Sequence, residues 1–385
     1  EEEIKQKVEE EIKRKEEEEI KRQKDEEMRR KKEEETKQKE EEEKVRSSVQ
    51  PRSNTPGGGT SSAVFTPITC TESICKYMVK AGGCCYRYGL DINKYNVLAV
   101  AYDQYSVYLY SEANKTEEKL CTCQYYVYCL AWNQQGTLLA IGGGHNSNTN
   151  NTIQVWDIPN RKITKRLKIN DINQTCYCLD WKGDTITAGT DQYIYQWNIN
   201  DQDNDQDTQG NKAILPRNTV QNNHLGYIRT VQWSNCKSKL ATITENGDMC
   251  IYDEEFKLIQ QHKAHDDNSY PLLQWCPWDN QVIATAGRDD GYLKIWRVQQ
   301  GITLIKEVKH QSGITNIKWI PSKKAIITAH TNNQLVLWEY PSLSITRTIN
   351  GHTSTPYYLA LNADKSAMVS KSSSEMIFWK PFDQF

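Results

Sequence analysis

The sequence predicts an all-β fold, a seven-bladed β-propeller, preceded by a long charged α-helix. Three observations support this prediction: residues 1–46 hold 20 Asp/Glu and 16 Lys/Arg, a polar linker follows, and a strand-like unit then recurs seven times. Recurrence of one unit at a fixed period of 20 to 50 residues is typical of repeat architectures. The 385 residues therefore divide into a charged single helix over 1–46, a flexible linker over 47–63 and a propeller over 64–385.

The first segment is predicted to be a solvated helix. Acidic and basic side chains recur four residues apart, as at Glu9 and Lys13, and the segment contains no Gly or Pro. Each such pair stabilises a helix by roughly 0.2–0.5 kcal/mol. A weak coiled coil that starts at Ile4, Val8 and Ile12 is the alternative, but the apolar residues are too sparse for a sustained seam.

The linker and the repeats follow from a change in composition. Residues 47–63 are rich in Ser, Pro, Gly and Thr, which neither pack nor hold a helix. After them, short apolar runs end in an aromatic residue at intervals of 46, 41, 55, 44, 42 and 41 residues, namely at Tyr110, Trp156, Trp197, Tyr252, Trp296, Trp338 and Trp379. These intervals are close to the roughly 40–45 residues of a WD repeat. The long interval contains the polar insertion 200–212, which is predicted to be a surface loop.

A second ladder of aromatic residues precedes the first one in each unit. It comprises Trp132, Trp181, Trp233, Trp275 and Trp319, with Leu90 and Leu361 at the equivalent places in the first and last units. Each unit thus supplies four strands, and one such sheet cannot bury both faces until seven stack around an axis. The last unit stops after Trp379, so we expect a strand within 64–80 to complete it and close the ring.

The histidines that precede the inner strands are predicted to be structural. They are His224, His265, His310 and His352, nine or ten residues before the second ladder. In WD repeats a His at this turn bonds within its blade, and the fifth unit offers His265, Thr285 and Trp296 with Asp289 or Asp290. The spacing His262-x-x-His265 superficially resembles that of a metal site. His265, however, is already assigned to the hydrogen bonds within its blade. We predict no metal and no cofactor.

Charge, cysteine usage and motifs exclude several classes of function. The net charge is −4 over residues 1–46 and +2 over the rest, which does not support binding to nucleic acid or to an anionic membrane. No run of apolar residues approaches the length needed to span a membrane. The twelve cysteines are predicted to be mainly reduced and structural, as in an intracellular protein of the nucleus or cytoplasm, with a redox role for Cys84-Cys85 as the alternative. No nucleophile elbow, phosphate loop or dinucleotide fingerprint occurs, so the protein is not expected to be an enzyme.

The amino-acid sequences of three repeat segments resemble those of one protein family. The runs NVLAVAYDQYSVYLY (96–110), LLQWCPWDNQVIATAGRDDGYLKIWRV (272–298) and QLVLWEYPSLSITRTINGHTS (334–354) are similar to the first blade, the fifth blade and the sixth-to-seventh blade passage of Fizzy-type activators of the anaphase-promoting complex. The resemblance spans about 90–380 in the right blade order. It implies a divergent member of that family.

The resemblance implies a non-catalytic propeller that recruits degron-bearing substrates to a ubiquitin ligase and activates the ligase. Its expected partners are ligase subunits and those substrates. A generic WD-repeat scaffold of another assembly, with degron binding lost, is the alternative. The family's N-terminal docking box is not found in 1–63, and its Ile-Arg tail is replaced by Asp383, Gln384 and Phe385.

The resemblance also implies altered degron sites. The acidic pair that precedes the family's first blade is matched by Gly83 and Cys84, and an Asp-Glu pair in the last blade is matched by Ser373 and Ser374. Glu375 is the only nearby carboxylate and is the expected ligand-binding residue. On the face that would take a second degron, an Asn-Asp-Asn turn is matched by Glu245, Asn246 and Gly247, and an arginine by Thr355.

Overall fold

The computed structural model describes two compact units, Glu1–Ser48 and Val49–Phe385. The described residues are 2–52, 65–70, 74–79, 89–102, 105–144, 152–170, 174–206, 211–221, 226–362 and 368–379. Four residues that the sequence analysis names, Gly83, Cys84, Cys85 and His224, lie outside these ranges.

The charged segment forms one helix, α1 (Glu2–Val49). Where its side chains are described, oppositely charged residues pair four apart, as Glu27 with Lys31 at 2.7 Å and Glu26 with Arg30 at 3.2 Å. The hydrogen bond from Lys31 lowers the pKa of Glu27. Among the described helical residues, none form a stretch long and apolar enough to cross a membrane.

The second unit is built from strands. Its first two, β1 (Phe65–Cys70) and β2 (Ile74–Val79), form an antiparallel hairpin. The first three blades then follow in chain order and consist of β3 (Leu90–Ile92), β4 (Val97–Ala101), β5 (Ser106–Ser111) and β6 (Thr116–Thr122); β7 (Tyr126–Trp132), β8 (Leu138–Gly144), β9 (Thr152–Asp157) and β10 (Lys162–Lys168); and β11 (Cys178–Lys182), β12 (Thr185–Gly189), β13 (Tyr193–Asn198) and β16 (Asn218–Gln221). Between β13 and β16 lie the short strands β14 (Asp205–Gln206) and β15 (Lys212–Ala213).

The remaining four blades repeat the same antiparallel order. They consist of β17 (Ile228–Trp233), β18 (Lys239–Thr244), β19 (Asp248–Asp253) and β20 (Leu258–Lys263); β21 (Leu272–Trp275), β22 (Val282–Ala286), β23 (Tyr292–Val298) and β24 (Ile302–Lys309); β25 (Ile314–Ile320), β26 (Ala325–His330), β27 (Leu335–Glu339) and β28 (Ile345–Ile349); and β29 (Pro356–Leu361), β30 (Met368–Ser372) and β31 (Glu375–Trp379). A 3₁₀ turn, Pro321–Lys323, joins β25 to β26. The predicted seven-bladed propeller is confirmed.

The first strand of each blade lies on the inside of the ring. Each of these inner strands contacts the inner strand of the next blade, and the series closes when β29 contacts β3. The third strands carry the first aromatic ladder into the core, where Trp197, Trp338 and Trp379 are at most 1% exposed. Burial of side chains of this size accounts for their regular recurrence, since each contributes roughly 3 kcal/mol or more when it is removed from water and packed.

Several Trp residues of the second aromatic ladder form hydrogen bonds through their indole N–H groups. The indole Nε1 of Trp132 donates to the backbone oxygen of Asp91 at 3.3 Å, and that of Trp275 donates to Gln232 O at 3.0 Å. In both cases the acceptor lies on the inner strand of the preceding blade. Trp319 repeats the contact with Gln274 O at 3.2 Å. These three Trp residues therefore join neighbouring blades, whereas Nε1 of Trp181 donates within its own blade, to Gly183 O at 2.8 Å.

The last blade is completed by the hairpin from the start of the propeller. Strand β2 pairs antiparallel with β31, with Ile74 opposite Trp379 and Met78 opposite Glu375. One strand from 64–80 was expected here, but β1 pairs with β2 and adds a fifth strand to the sheet. The first and last segments of the unit thus share one sheet.

Blade five contains the hydrogen-bonded set that its spacing predicts. Nδ1 of His265 lies 2.7 Å from Asp290 Oδ2, and Nε2 lies 2.8 Å from Thr285 Oγ1. The indole of Trp296 donates to the same hydroxyl at 2.8 Å. The structure selects Asp290 over Asp289, and the His265 interaction lowers the pKa of Asp290 although its burial opposes this.

Blade six departs from that pattern. Its Thr328 hydroxyl accepts from Trp338, but the histidine beside it is His330, at 2.6 Å, and not His310. His310 is linked to His330 through Ser312. The Ser312 hydroxyl lies 2.9 Å from Nδ1 of His310 and 3.1 Å from Nδ1 of His330. Burial lowers the pKa of His330 to about 3, which keeps the ring neutral.

The described parts of the insertion, 200–206 and 211–212, include strand residues in addition to the surface loop that the composition predicts. Strands β14 and β15 pair with each other, and Leu167 bridges to Ile214 just beyond them. Lys168 on β10 pairs with Asp205 at 2.6 Å. These contacts fasten the insertion to the neighbouring second blade.

Candidate functional site

The two ends of the ring differ in the kind of loop that they carry. At one end, which we call the upper face, lie the loops that lead into each inner strand and the turns between the second and third strands. The lower face carries the turns between the first and second strands. Glu375, the residue predicted to bind a ligand, begins β31 and therefore lies at the upper face.

Glu375 is buried and already engaged within its own blade. Its side-chain oxygens accept from the backbone N–H of Thr353 at 2.8 Å and from the Thr353 hydroxyl at 2.5 Å. Its Oε2 also lies 3.4 Å from His352 Nδ1, while Nε2 of that histidine contacts Ser370. With an exposure of 5%, the carboxylate occupies the place in this blade that Asp290 occupies in blade five. Its role as a ligand-binding residue remains a prediction.

The two serines that replace an acidic pair lie in the same turn. Ser373 is exposed and Ser374 is half-buried. The hydroxyl of Ser374 lies 3.0 Å from that of Ser354, which also donates to Ser372 at 2.9 Å. The turn therefore presents hydroxyl groups where the resemblance implies carboxylates.

The second predicted degron region is also at the upper face. Glu245, Asn246 and Gly247 form the turn between β18 and β19, and Gly247 adopts a left-handed φ of 87°. A Cβ there would lie 2.2 Å from the backbone oxygen of His265, so the turn packs directly against the next loop. Thr355 donates to the backbone oxygen of Thr331 at 3.0 Å and so links the last two blades.

A cavity of about 340 Å³ lies at the upper mouth of the central channel. It is lined by aromatic and cationic residues that the repeat pattern did not mark as functional, chiefly Tyr128, Tyr177, Tyr227, Arg229, Tyr270 and Arg288. The sequence carries a spacing signal for three of these residues: Tyr128, Tyr177 and Arg229 each lie four residues before a Trp of the second aromatic ladder.

A second cavity, of about 460 Å³, lies where the inner strands end at the lower face. Two of its carboxylates accept hydrogen bonds from the next blade. Asp180 Oδ2 accepts from Trp233 N at 2.7 Å, and Asp91 Oδ2 accepts from Trp132 N at 2.9 Å. Burial raises the pKa of Asp180. These groups hold neighbouring blades together.

The described residues contain no group of three or more His, Cys, Asp or Glu side chains that could hold a metal ion. His262 packs edge-on against Trp296 at 4.9 Å between ring centroids, and His265 has the partners given above. The eight cysteines whose side chains are described are free thiols. Among them, Sγ of Cys129 and Sγ of Cys176 lie 3.5 Å apart in the interior.

Two family models match parts of the chain. The model for the WD domain, G-beta repeat, matches residues 117–157, which include β7, β8 and β9 of the second blade. The model for the eukaryotic translation initiation factor eIF2A matches residues 211–341. Each match covers less than half of the chain.

Longer matches come from curated proteins. The chain is 26% identical over 318 residues to the anaphase-promoting complex subunit cdc20 of Dictyostelium discoideum, a match that covers 77% of this chain and 57% of that protein. It is 26% identical over 317 residues to cell division cycle 20.5, cofactor of APC complex, of Arabidopsis thaliana, with 77% and 64% covered. For meiotic fizzy-related protein 1 of Schizosaccharomyces pombe the identity is 26% over 306 residues, with 77% and 67% covered. The chain thus spans less than two thirds of the first two relatives.

A solved structure has the same fold. A chain in the crystal structure of the mitotic checkpoint complex superposes with a TM-score of 0.69 at 21% identity, over 86% of this chain and 100% of that one. At this identity the likeness establishes the propeller architecture alone.

Proposed function

Because the chain is a divergent relative of the Fizzy-type WD-repeat proteins, we propose that it recruits substrates to the anaphase-promoting complex and activates this ubiquitin ligase. The observation that carries the proposal is 26% identity over 77% of the chain to proteins named as subunits or cofactors of that complex. The proposed role is non-catalytic and intracellular, in the nucleus or cytoplasm. Its partners are ligase subunits and degron-bearing proteins.

The alternative is a scaffold of another assembly that has lost degron binding. The replacement of an acidic pair by Ser373 and Ser374 favours this alternative, because a hydroxyl cannot supply the charge-assisted contact that a carboxylate gives to arginine. The ring and its blade-to-blade hydrogen bonds suit either role.

Affinity purification of the full tagged chain, followed by mass spectrometry, separates the two functions. Recovery of anaphase-promoting complex subunits, above the level captured by an unrelated tagged propeller, is the result expected for the activator. Reproducible recovery of a different assembly without those subunits would instead favour the scaffold.

We further propose that a degron arginine binds beside Glu375, and that it binds weakly. The carboxylate is shared with the Thr353 N–H and hydroxyl, so an incoming guanidinium competes for oxygens that already accept hydrogen bonds. Loss of one of two acidic partners costs about 1–3 kcal/mol. Binding should therefore be about tenfold or more weaker than in a relative that keeps the acidic pair.

Ser374→Glu should strengthen binding of an arginine-containing degron peptide by about tenfold, because it returns a second carboxylate to the turn. Isothermal titration calorimetry on the full chain measures this, with Ser322→Glu on the lower face as the matched control. Glu375→Ala is less informative alone, since it also removes the acceptor of two Thr353 hydrogen bonds. Equal affinity of the wild-type, Ser374→Glu and Ser322→Glu chains would place the arginine elsewhere.

A further inference from the structure

The upper mouth of the channel combines two arginines with one aromatic ring. The guanidinium carbons of Arg229 and Arg288 lie 5.6 and 5.7 Å from the ring centroid of Tyr270. Arg229 comes from inner strand β17, whereas Arg288 comes from the turn that follows β22. Two positive charges from different blades therefore converge on the same cavity.

Both arginines keep unused hydrogen-bonding capacity. The Nε atom of each is buried and has no hydrogen-bond partner among the described residues. Asp289 lies 3.5 Å from Nε of Arg288 but is half exposed, and Arg229 forms no ion pair within the described part of the chain. Buried polar groups in proteins are nearly always paired, so two such atoms at one cavity indicate an absent anionic partner.

Tyr270 adopts a strained backbone conformation. Its φ is 49°, in the left-handed region that bulky residues seldom adopt, and its N–H donates to Glu245 O at 3.2 Å. Such conformations cost on the order of 1–3 kcal/mol and cluster at functional sites. Here the strain fixes the ring that both guanidinium groups share.

The other charges around the mouth support an anionic ligand. Lys371 lies over the ring of Tyr358, another lining residue, at 5.8 Å. The carboxylate of Asp191, by contrast, is occupied by the hydroxyl of Tyr177 at 3.0 Å and by Thr175 N at 2.6 Å. The Nε atoms of Arg229 and Arg288 are therefore more available to a ligand than this nearby acid is.

The size and walls of the cavity favour a peptide. A water molecule takes up about 30 Å³ of liquid, so about 340 Å³ is far more than one phosphate ion needs. The rings of Tyr177 and Tyr227 lie 4.5 Å apart, and that of Tyr128 lies 5.6 Å from Tyr177. This row of tyrosines offers apolar faces beside the charged groups.

We propose that the upper mouth binds a protein segment with an acidic side chain next to an apolar residue, with the guanidinium groups of Arg229 and Arg288 on the anion. A phosphorylated side chain should bind more tightly than a glutamate, because its dianion can accept from both guanidinium groups. The inference rests on the proposed role as a substrate-recruiting propeller and adds the chemistry of one ligand.

Fluorescence anisotropy with the full chain tests this. The probes are three labelled heptapeptides that share leucines on both sides of a central phosphoserine, glutamate or glutamine, and inorganic phosphate serves as the competitor. We expect affinity to fall in that order, and the double variant Arg229→Gln, Arg288→Gln to bind the phosphopeptide at least about tenfold more weakly. Arg217→Gln, which removes an exposed arginine paired with Asp201, should change the affinity less than about twofold.

Three results would overturn the proposal: equal binding of the glutamine and phosphoserine peptides, no binding of any peptide, or phosphopeptide binding that both arginine substitutions leave unchanged. Displacement by phosphate at the same concentration as unlabelled peptide would assign the site to the free ion instead. If the double variant unfolds, each single substitution is measured in its place. The assay contains no ligase, so failure to recover ligase subunits leaves its outcome unaffected.

Discussion

A chain that lacks residues 1–80 should unfold at a temperature at least about 10 °C below that of a chain that lacks only residues 1–48. The longer deletion removes β1 and β2, which are the fourth and fifth strands of the last blade. It leaves β31 as a bare edge, although Met376, Ile377 and Trp379 on that strand are at most 1% exposed in the intact ring. Differential scanning calorimetry measures the difference.

The shorter deletion is the matched control, because it removes only the first compact unit, Glu1–Ser48. It keeps Gln50, whose backbone oxygen accepts from Arg161, and Arg52, whose N–H donates to Glu118 at 2.9 Å. We expect its melting temperature to match that of the propeller transition in the full chain. Equal melting temperatures for the two deletions would contradict closure of the ring by β2.

Gly313→Ala should destabilise the propeller by about 3 kcal/mol or more, because the site has no room for a side chain. A Cβ at residue 313 would lie 1.7 Å from the backbone oxygen of Arg288 and 2.8 Å from its carbonyl carbon. The backbone of Arg288 must shift to relieve this contact, so phosphopeptide binding at the upper mouth should weaken as well. Urea unfolding and the anisotropy assay measure the two effects.

Gly301→Ala is the control for the same substitution. No atom lies within 4 Å of a Cβ built there, and its φ is not left-handed. Such a change is expected to be neutral or to stabilise by about 0.4–1 kcal/mol, through the unfolded chain. A Gly313→Ala variant as stable as Gly301→Ala would show that the loop around Arg288 relaxes freely, and the packing described here would be wrong.

Periodic features of the chain were accessible from sequence. The recurrence of an aromatic residue such as Trp338 at the end of each third strand predicted seven blades, because each blade packs a Trp or Tyr side chain at the same place. The set His265, Thr285 and Trp296 was predictable for the same reason, since its spacing repeats within the WD pattern. The choice of Asp290 over Asp289 was not, because adjacent residues satisfy the spacing equally well.

Other features depend on contacts between residues far apart in the chain. His330 replaces His310 beside Thr328, although His310 stands at the expected distance from Trp319. The spacing counts residues along the chain, whereas the hydrogen bond depends on which ring reaches the hydroxyl. Glu375 gives a second example: the sequence marked its carboxylate as the nearest to the predicted site, and the structure shows it accepting from Thr353.

By itself, the sequence determined the number of blades, the charged helix before them and the resemblance to Fizzy-type proteins, since all of these are local or repeated patterns. Only the tertiary structure decided that two strands complete the last blade and that Arg229, Tyr270 and Arg288 share one cavity. The physical reason is that the ring brings together residues from different blades. Their separation in space is set by closure of the ring and not by their separation along the chain.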